Sequence, residues 1–431
     1  MPPRPLTLTA DAPKGRRRFN PFAALGPGLI TGAADDDPSG IATYSQAGAR
    51  FGLHMLWTVV LTYPFMAVFQ SICARVGRVT GRGLAANIKL AFPRWVVIAG
   101  VSMLLVANTL NIAADLTAMG EAAQLVVGGS RHLFTLALAL FSLGLQILIP
   151  YHRYVRFLKW LTLALLAYVA VAFTVNVPWK EVAYRTIWPG FTVGRDAATL
   201  VVAVFGTTIS PYLFFWQSSE EVEEIQNHHG AHPLTEDPAE ATPELSRIGW
   251  DTYSGMFYSN AIAFFIILST AVTLHTSGVT DIQTAAQAAS ALKPLAGPLA
   301  FGLFALGIIA TGLLAVPILA GSAAYALSES LGWKEGLERK FEDAHGFYGV
   351  IGAAIIAGIA LDYSTIDPIK ALFWAAVVNG VIAVPLMFVI MLLASRRSIM
   401  GDFVVVRAQR WFGWMATAIM AVVSIMMFVL A

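Results

Sequence analysis

The chain has 431 residues, 57% of them hydrophobic and 13% charged, with a formal net charge of +2. Soluble domains carry about a quarter charged residues, so this composition excludes an ordinary soluble enzyme or nucleic-acid-binding module and describes an all-α integral membrane protein in contact with a lipid bilayer. The single cysteine, Cys73, excludes an intramolecular disulfide and a thiolate metal cluster.

Read with their Pro and Gly breaks, the apolar runs predict about eleven spans: 22–50, 53–76, 95–126, 132–150, 154–177, 197–226, 250–274, 298–327, 346–362, 368–394 and 409–431. Because hydrophobic spans continue to the last residue, a secretory leader is a poor reading of the start. With the N-terminus placed in the cytoplasm, alternate loops collect 21 of the 28 Lys and Arg, among them Lys14, Arg16, Arg17, Arg18, Arg75, Arg94, Arg396 and Arg410. That asymmetry predicts a multi-pass plasma (inner) membrane protein with a cytoplasmic N-terminus and an outside C-terminus.

The first span is interrupted at Ala33-Ala34-Asp35-Asp36-Asp37-Pro38-Ser39-Gly40. Carboxylates at hydrocarbon depth are expensive and mark a functional site, and Pro-Ser-Gly weakens the helix beside them. The prediction is a helix broken at the carboxylates, with freed carbonyls facing a cavity. A second interruption, Phe205-Gly206-Thr207-Thr208-Ile209-Ser210-Pro211-Tyr212, lies in the sixth span. Two breaks five helices apart imply two halves inserted with opposite topology and a midplane site between them. The expected organisation is a tail (1–21), a first repeat (22–178), a second repeat (195–395) and an eleventh helix (396–431).

The chemistry at the breaks is oxygen-only: no Cys, Met or His lies in either. Asp37 is the expected direct ligand of a cation, with carbonyls of Ala34 and Thr207 as neutral donors. Ser210, Tyr212 and Gln217 complete the span-six side, and Gly40 or Ser210 leaves room for a partly hydrated ion. Three consecutive side chains cannot aim at one ion, so Asp36 is expected behind or beside the site and Asp35 has a weaker case. Hard oxygens suit magnesium, calcium or manganese. The cation is cargo; no cofactor is implied, and protein partners are left unassigned. In the third span Asn108, Asn111 and Asp115 form one polar stripe, read as interhelical hydrogen bonding for the amides and as a pathway position for Asp115. Asn379 in the tenth span is read as facing the site or as structural glue. The Glu220–His232 segment after the sixth span reads as a solvated amphipathic helix end. No nucleotide-binding, zinc-protease or serine-hydrolase motif is present, so an enzyme is not expected.

Taken together, Gly26-Pro27-Gly28-Leu29, Asp37-Pro38-Ser39-Gly40, Ala49-Arg50-Phe51-Gly52, Gly77-Arg78-Val79-Thr80-Gly81-Arg82 and Ala114-Asp115-Leu116 resemble the NRAMP family of divalent-metal transporters across roughly residues 22–395. The resemblance implies a LeuT-type fold of inverted five-helix repeats, a metal site between spans one and six, and a ligand role for Asp37. Where the family has Asn, this chain has Gly40, and the family's Met-Pro-His falls on Ser210-Pro211-Tyr212. In span three the family's acids fall on Ala118 and Asn108. Loss of the thioether weakens discrimination against hard ions, and loss of the imidazole and acids removes the usual proton route. The pattern is similar to the branch that includes magnesium transporters. The expected activity is uptake of magnesium or manganese by alternating access, weakly or not proton-coupled. The alternatives are a LeuT-type carrier of a cationic organic solute and a non-transporting metal sensor that signals through 220–245.

Overall fold

The computed structural model describes residues 27–151, 153, 160, 162–190, 194–228, 230–337, 339–363 and 367–430. The expected tail (1–21) and most of 154–161 lie outside them. Among the described residues the chain is helical, with no strand. Among the described residues, nine helical stretches are long and apolar enough to cross a membrane. The first, Pro38–Thr80, joins the second half of the interrupted opening span to the second span, and a shorter apolar helix, Thr162–Thr174, stands where the fifth is expected. The eleven expected spans are thereby accommodated.

The opening span is two helices, α1 (Pro27–Asp35) and α2 (Pro38–Phe51). There follow α3 (Leu56–Thr80), α4 (Leu84–Ala91), α5 (Arg94–Val127), α6 (Arg131–Leu148), α7 (Leu166–Thr174) and α8 (Trp179–Ile187). The sixth span is again two helices, α9 (Arg195–Thr208) and α10 (Pro211–Asn227). The chain ends with α11 (Ala241–Thr273), α12 (Ala300–Leu331), α13 (His345–Asp362), α14 (Pro368–Ala394) and α15 (Arg407–Val429). Both breaks have one local cause. A residue before proline is pushed out of the helical region, and Asp37 (ψ 170°) and Ser210 (ψ 130°) are extended, each followed by proline in the first turn of the next helix.

α11 begins at Ala241 rather than at the expected 250. The polar residues of that extra length are used inside the protein: Arg247 lies 2.5 Å from Glu221 and 3.1 Å from Glu244. Just beyond it, Asp251 accepts the Gly28 amide at 2.7 Å. Hydropathy alone starts the span too late.

The packing exchanges between the two halves. α1 and α2 lie along α11, in span seven; α10, in span six, lies along α3, in span two; and α5 packs on α12, spans three and eight. Swapping one with six, two with seven and three with eight reproduces this pattern, as inverted halves require. Lipid is as apolar as leucine, so helices associate through close van der Waals contact at small residues. A methyl at Gly32 would sit 2.2 Å from the Gly255 carbonyl oxygen, and one at Gly77 would sit 2.1 Å from that of Ser218. The first contact joins spans one and seven, the second spans two and six. Gly32→Leu should therefore cost at least about 1–3 kcal/mol and lower the melting temperature in detergent, whereas Gly302→Leu, where nothing stands within 4 Å, leaves it unchanged. Equal melting curves for the two variants would contradict this packing.

Candidate functional site

The three aspartates are buried at the first break. Asp37 caps α2, its Oδ1 accepting the Gly40 amide at 2.7 Å. Asp35 and Asp36 point to span seven instead. The Ser259 hydroxyl lies 2.7 Å from Asp35 Oδ2 and 3.2 Å from Asp36 Oδ1. The consecutive carboxylates thus do different jobs, and Asp37 is the one placed on the second half-helix.

Gly40 marks where the halves meet. A methyl there would lie 3.2 Å from Thr207 Oγ1, 3.4 Å from Asp37 Oδ1 and 3.4 Å from the Asp35 carbonyl oxygen. Oxygens from both broken helices therefore converge on a residue with no side chain. Across the gap, the Tyr212 hydroxyl donates to the Ala34 carbonyl at 3.2 Å, and Tyr44 meets Thr208 Oγ1 at 2.9 Å. Because the Thr208 hydroxyl donates to the Val204 carbonyl, Tyr44 is the donor in that pair. Ser210 Oγ donates to the Thr207 carbonyl at 2.7 Å. The Ala34 and Thr207 carbonyls each already accept one hydrogen bond and keep a second lone pair. Gln217 is more remote: its Oε1 accepts the Thr31 hydroxyl at 2.7 Å, about 9 Å along α10 from Pro211.

Several buried polar atoms here have no protein partner, namely Asp35 Oδ1, Asp36 Oδ2, Thr207 Oγ1 and both amide atoms of Asn111 and Asn379. Orphaned buried polar groups cost about 1–3 kcal/mol each, more when charged. Those of Asp35, Asp36 and Thr207 lie at the two helix breaks. Asp115 faces Asp37 and the Ser39 amide from span three. The Asn108 amide nitrogen bonds across the bundle, donating to the Leu319 carbonyl and Ser322 at 2.8 Å each, as interhelical glue does. Among the described residues no three His, Cys, Asp or Glu side chains form a metal cluster.

The family model for natural resistance-associated macrophage protein-like (Nramp) proteins matches residues 28–430. The chain belongs to the Nramp family. The divalent metal cation transporter MntH of Klebsiella pneumoniae subsp. pneumoniae is 27% identical over 407 residues, 92% of each chain. That of Deinococcus radiodurans is 29% identical over 308 residues, 70% of this chain and 67% of its own. The manganese transporter of Eremococcus coleocola superposes with a TM-score of 0.75 at 17% identity, covering 96% of this chain and 88% of that one. Mhp1, a nucleobase-cation-symport-1 family transporter, superposes at 0.60 with 12% identity, covering 94% and 90%. The fold is thus the LeuT type, with inverted five-helix repeats, broken first and sixth spans and an eleventh helix.

In this Nramp chain the acidic end of span six departs from its sequence reading. It is packed rather than solvated: Glu221 is fully buried against Arg247, and Glu223 accepts from Tyr325 and, at 2.8 Å, from the Leu337 amide. Glu329 accepts the Ala86 amide and the Ser219 hydroxyl, both at 3.0 Å, so the start of α4 is tied to the same cluster. His228 and His232 are exposed, and His229 lies outside the described residues. In the following loop, burial, with Glu329 and Glu223 adding, holds the Glu335 carboxyl well above its ordinary value of 4.5. A carboxyl whose folded pKa is raised stabilises the fold fully below its unfolded value and loses that contribution as pH rises through the folded one. Glu335→Gln should therefore flatten the fall in melting temperature from about pH 4.5 upward, while parallel profiles for variant and wild type would contradict the assignment.

Sequence reasoning missed Ser259, Tyr44 and Thr208. Ser259 carries no motif of its own. Tyr44 and Thr208 sit where aromatic and β-branched residues read as span filler, although both lie within a few residues of a break.

Proposed function

We propose that the chain is a multi-pass carrier that moves a divalent metal cation, magnesium or manganese, into the cytoplasm by alternating access, with Asp37 as the direct ligand. The observation that carries this is the convergence of Asp37, Thr207 and the Asp35 carbonyl oxygen on Gly40, between two broken helices. Its relatives' names support the cargo class: the similar curated proteins are divalent metal cation transporters, and a similar solved structure is a manganese transporter.

Asp37 supplies the charge. The Ala34 carbonyl, the Thr207 carbonyl and hydroxyl, and Ser210 supply neutral oxygens, and Gly40 leaves space for a retained water. Tyr212 steadies the Ala34 carbonyl and Gln217 the lower seam, while Asp36 stands behind with Ser259. An all-oxygen set favours hard ions and offers nothing to select softer ones. The span-six break holds no imidazole, which supports weak or absent proton coupling. The acidic segment of span six is occupied by ion pairs and backbone amides, which leaves it poorly suited to the sensor alternative. The plasma membrane, with the N-terminal side cytoplasmic, is the location the Lys and Arg asymmetry supports.

Asp37→Asn keeps an acceptor for the Gly40 amide and removes the charge, so it tests the ligand without deleting the cap. In proteoliposomes it should abolish magnesium and manganese uptake, as should Asp37→Ala, while the purified protein elutes and melts like wild type. Wild-type uptake by Asp37→Asn would refute the site, and robust metal-driven acidification of wild-type vesicles would refute weak coupling. Ser210→Met restores a thioether beside the site and should strengthen cadmium binding relative to magnesium by calorimetry, about tenfold or more. An unchanged ratio would show that Ser210 does not face the ion.

A further inference from the structure

On the lipid-facing side, away from the broken helices' polar gap, a recess of about 750 Å³ opens between α4, the start of α5, α14 and α15. Its walls are almost wholly apolar, among them Phe92, Val96, Gly100, Pro385, Trp414 and Ala418. That size lies within the roughly 300–1,000 Å³ range of sites that enclose a single small ligand. Phe215, on the second half of broken span six, reaches its inner wall.

One end of the recess carries an arginine from each of three segments. Arg94 follows the lining residue Pro93. Arg396 sets its guanidinium 4.2 Å over the Phe92 ring and donates to the Ala91 carbonyl. Arg410 continues the face of α15 that runs Trp414, Thr417, Ala421 through the recess, at helical spacings of four, three and four. α14 and α15 are joined by the short connection 395–406, so Arg396 and Arg410 share one membrane face, the one the charge asymmetry assigns to the cytoplasm. All three arginines are exposed, and among the described residues none is in an ion pair. Asp402, in the connection, pairs with none of them.

We propose that this recess holds an anionic phospholipid of the cytoplasmic leaflet, its acyl chain against Phe92, Val96, Pro385 and Trp414 and its phosphate between Arg94, Arg396 and Arg410. Basic pockets between spanning helices on that side bind acidic head groups. A soluble anion would leave the apolar walls unfilled. A second copy of the chain, related by a twofold axis at this face, would bring its own three arginines toward these. The lipid alone satisfies both the charge and the apolar surface.

Native mass spectrometry of the purified full chain, titrated with phosphatidylglycerol or phosphatidylcholine of matched chains, tests the site. Wild type should retain one phosphatidylglycerol far more strongly than phosphatidylcholine. The triple variant Arg94→Gln, Arg396→Gln, Arg410→Gln should lose at least about tenfold in phosphatidylglycerol retention with phosphatidylcholine unchanged. The three single variants, measured alongside, should each lose part of it, which keeps the result readable if the triple variant misfolds. Ala418→Trp, which fills the recess, should lower retention of both lipids. Equal retention of the two lipids by wild type, undiminished phosphatidylglycerol on the arginine variants, or a lipid-free dimer would overturn the proposal.

Discussion

Inside a membrane no water is at hand to satisfy a backbone group that leaves its helix, so an interrupted span must find its partners within the protein. The structure turns on this constraint at Pro38 and Pro211. Each proline forces the preceding residue, Asp37 or Ser210, into an extended conformation, and each break releases carbonyls and hydroxyls toward the same gap. Two tyrosines tie the half-helices across it, Tyr212 to the Ala34 carbonyl and Tyr44 to Thr208. The ties leave spare lone pairs on those oxygens. The proposed place for a cation is a by-product of how the breaks are repaired.

The breaks are held by unusually close helix contacts elsewhere. Gly32 touches the backbone of span seven and Gly77 that of span six, contacts that exchange under the relation between the two halves. Rigid seams around the gap and short polar ties across it give a site whose two sides belong to different packing units. Asp35 and Asp36 extend the seam rather than the gap, since both turn to Ser259.

Much of this was legible from residue types and spacing because the signals were local. A carboxylate run followed by proline in an apolar span, and a second proline break five helices later, were sufficient to locate the gap, and α14 was placed at 368–394, matching the structure. What escaped was tertiary. Ser259 is one serine among many until span seven is laid beside span one. The Gly32 and Gly77 contacts require knowing which helices touch. The expected start of α11 is too late because Arg247 reads as solvent-facing, whereas Glu221 and Glu244 pair with it inside the bundle. The acidic end of span six was misread as solvated for the same reason.

Membership of the Nramp family rests on the whole chain, while the ion rests on a handful of oxygens. The most direct measurement of the central claim is an anomalous-scattering map from crystals of this chain soaked with manganese. The account predicts one strong peak at bonding distance from the Asp37 carboxylate, between the ends of α1 and α9. A peak at the Glu223–Glu335 cluster, or saturating manganese with nothing beside Asp37, would contradict it.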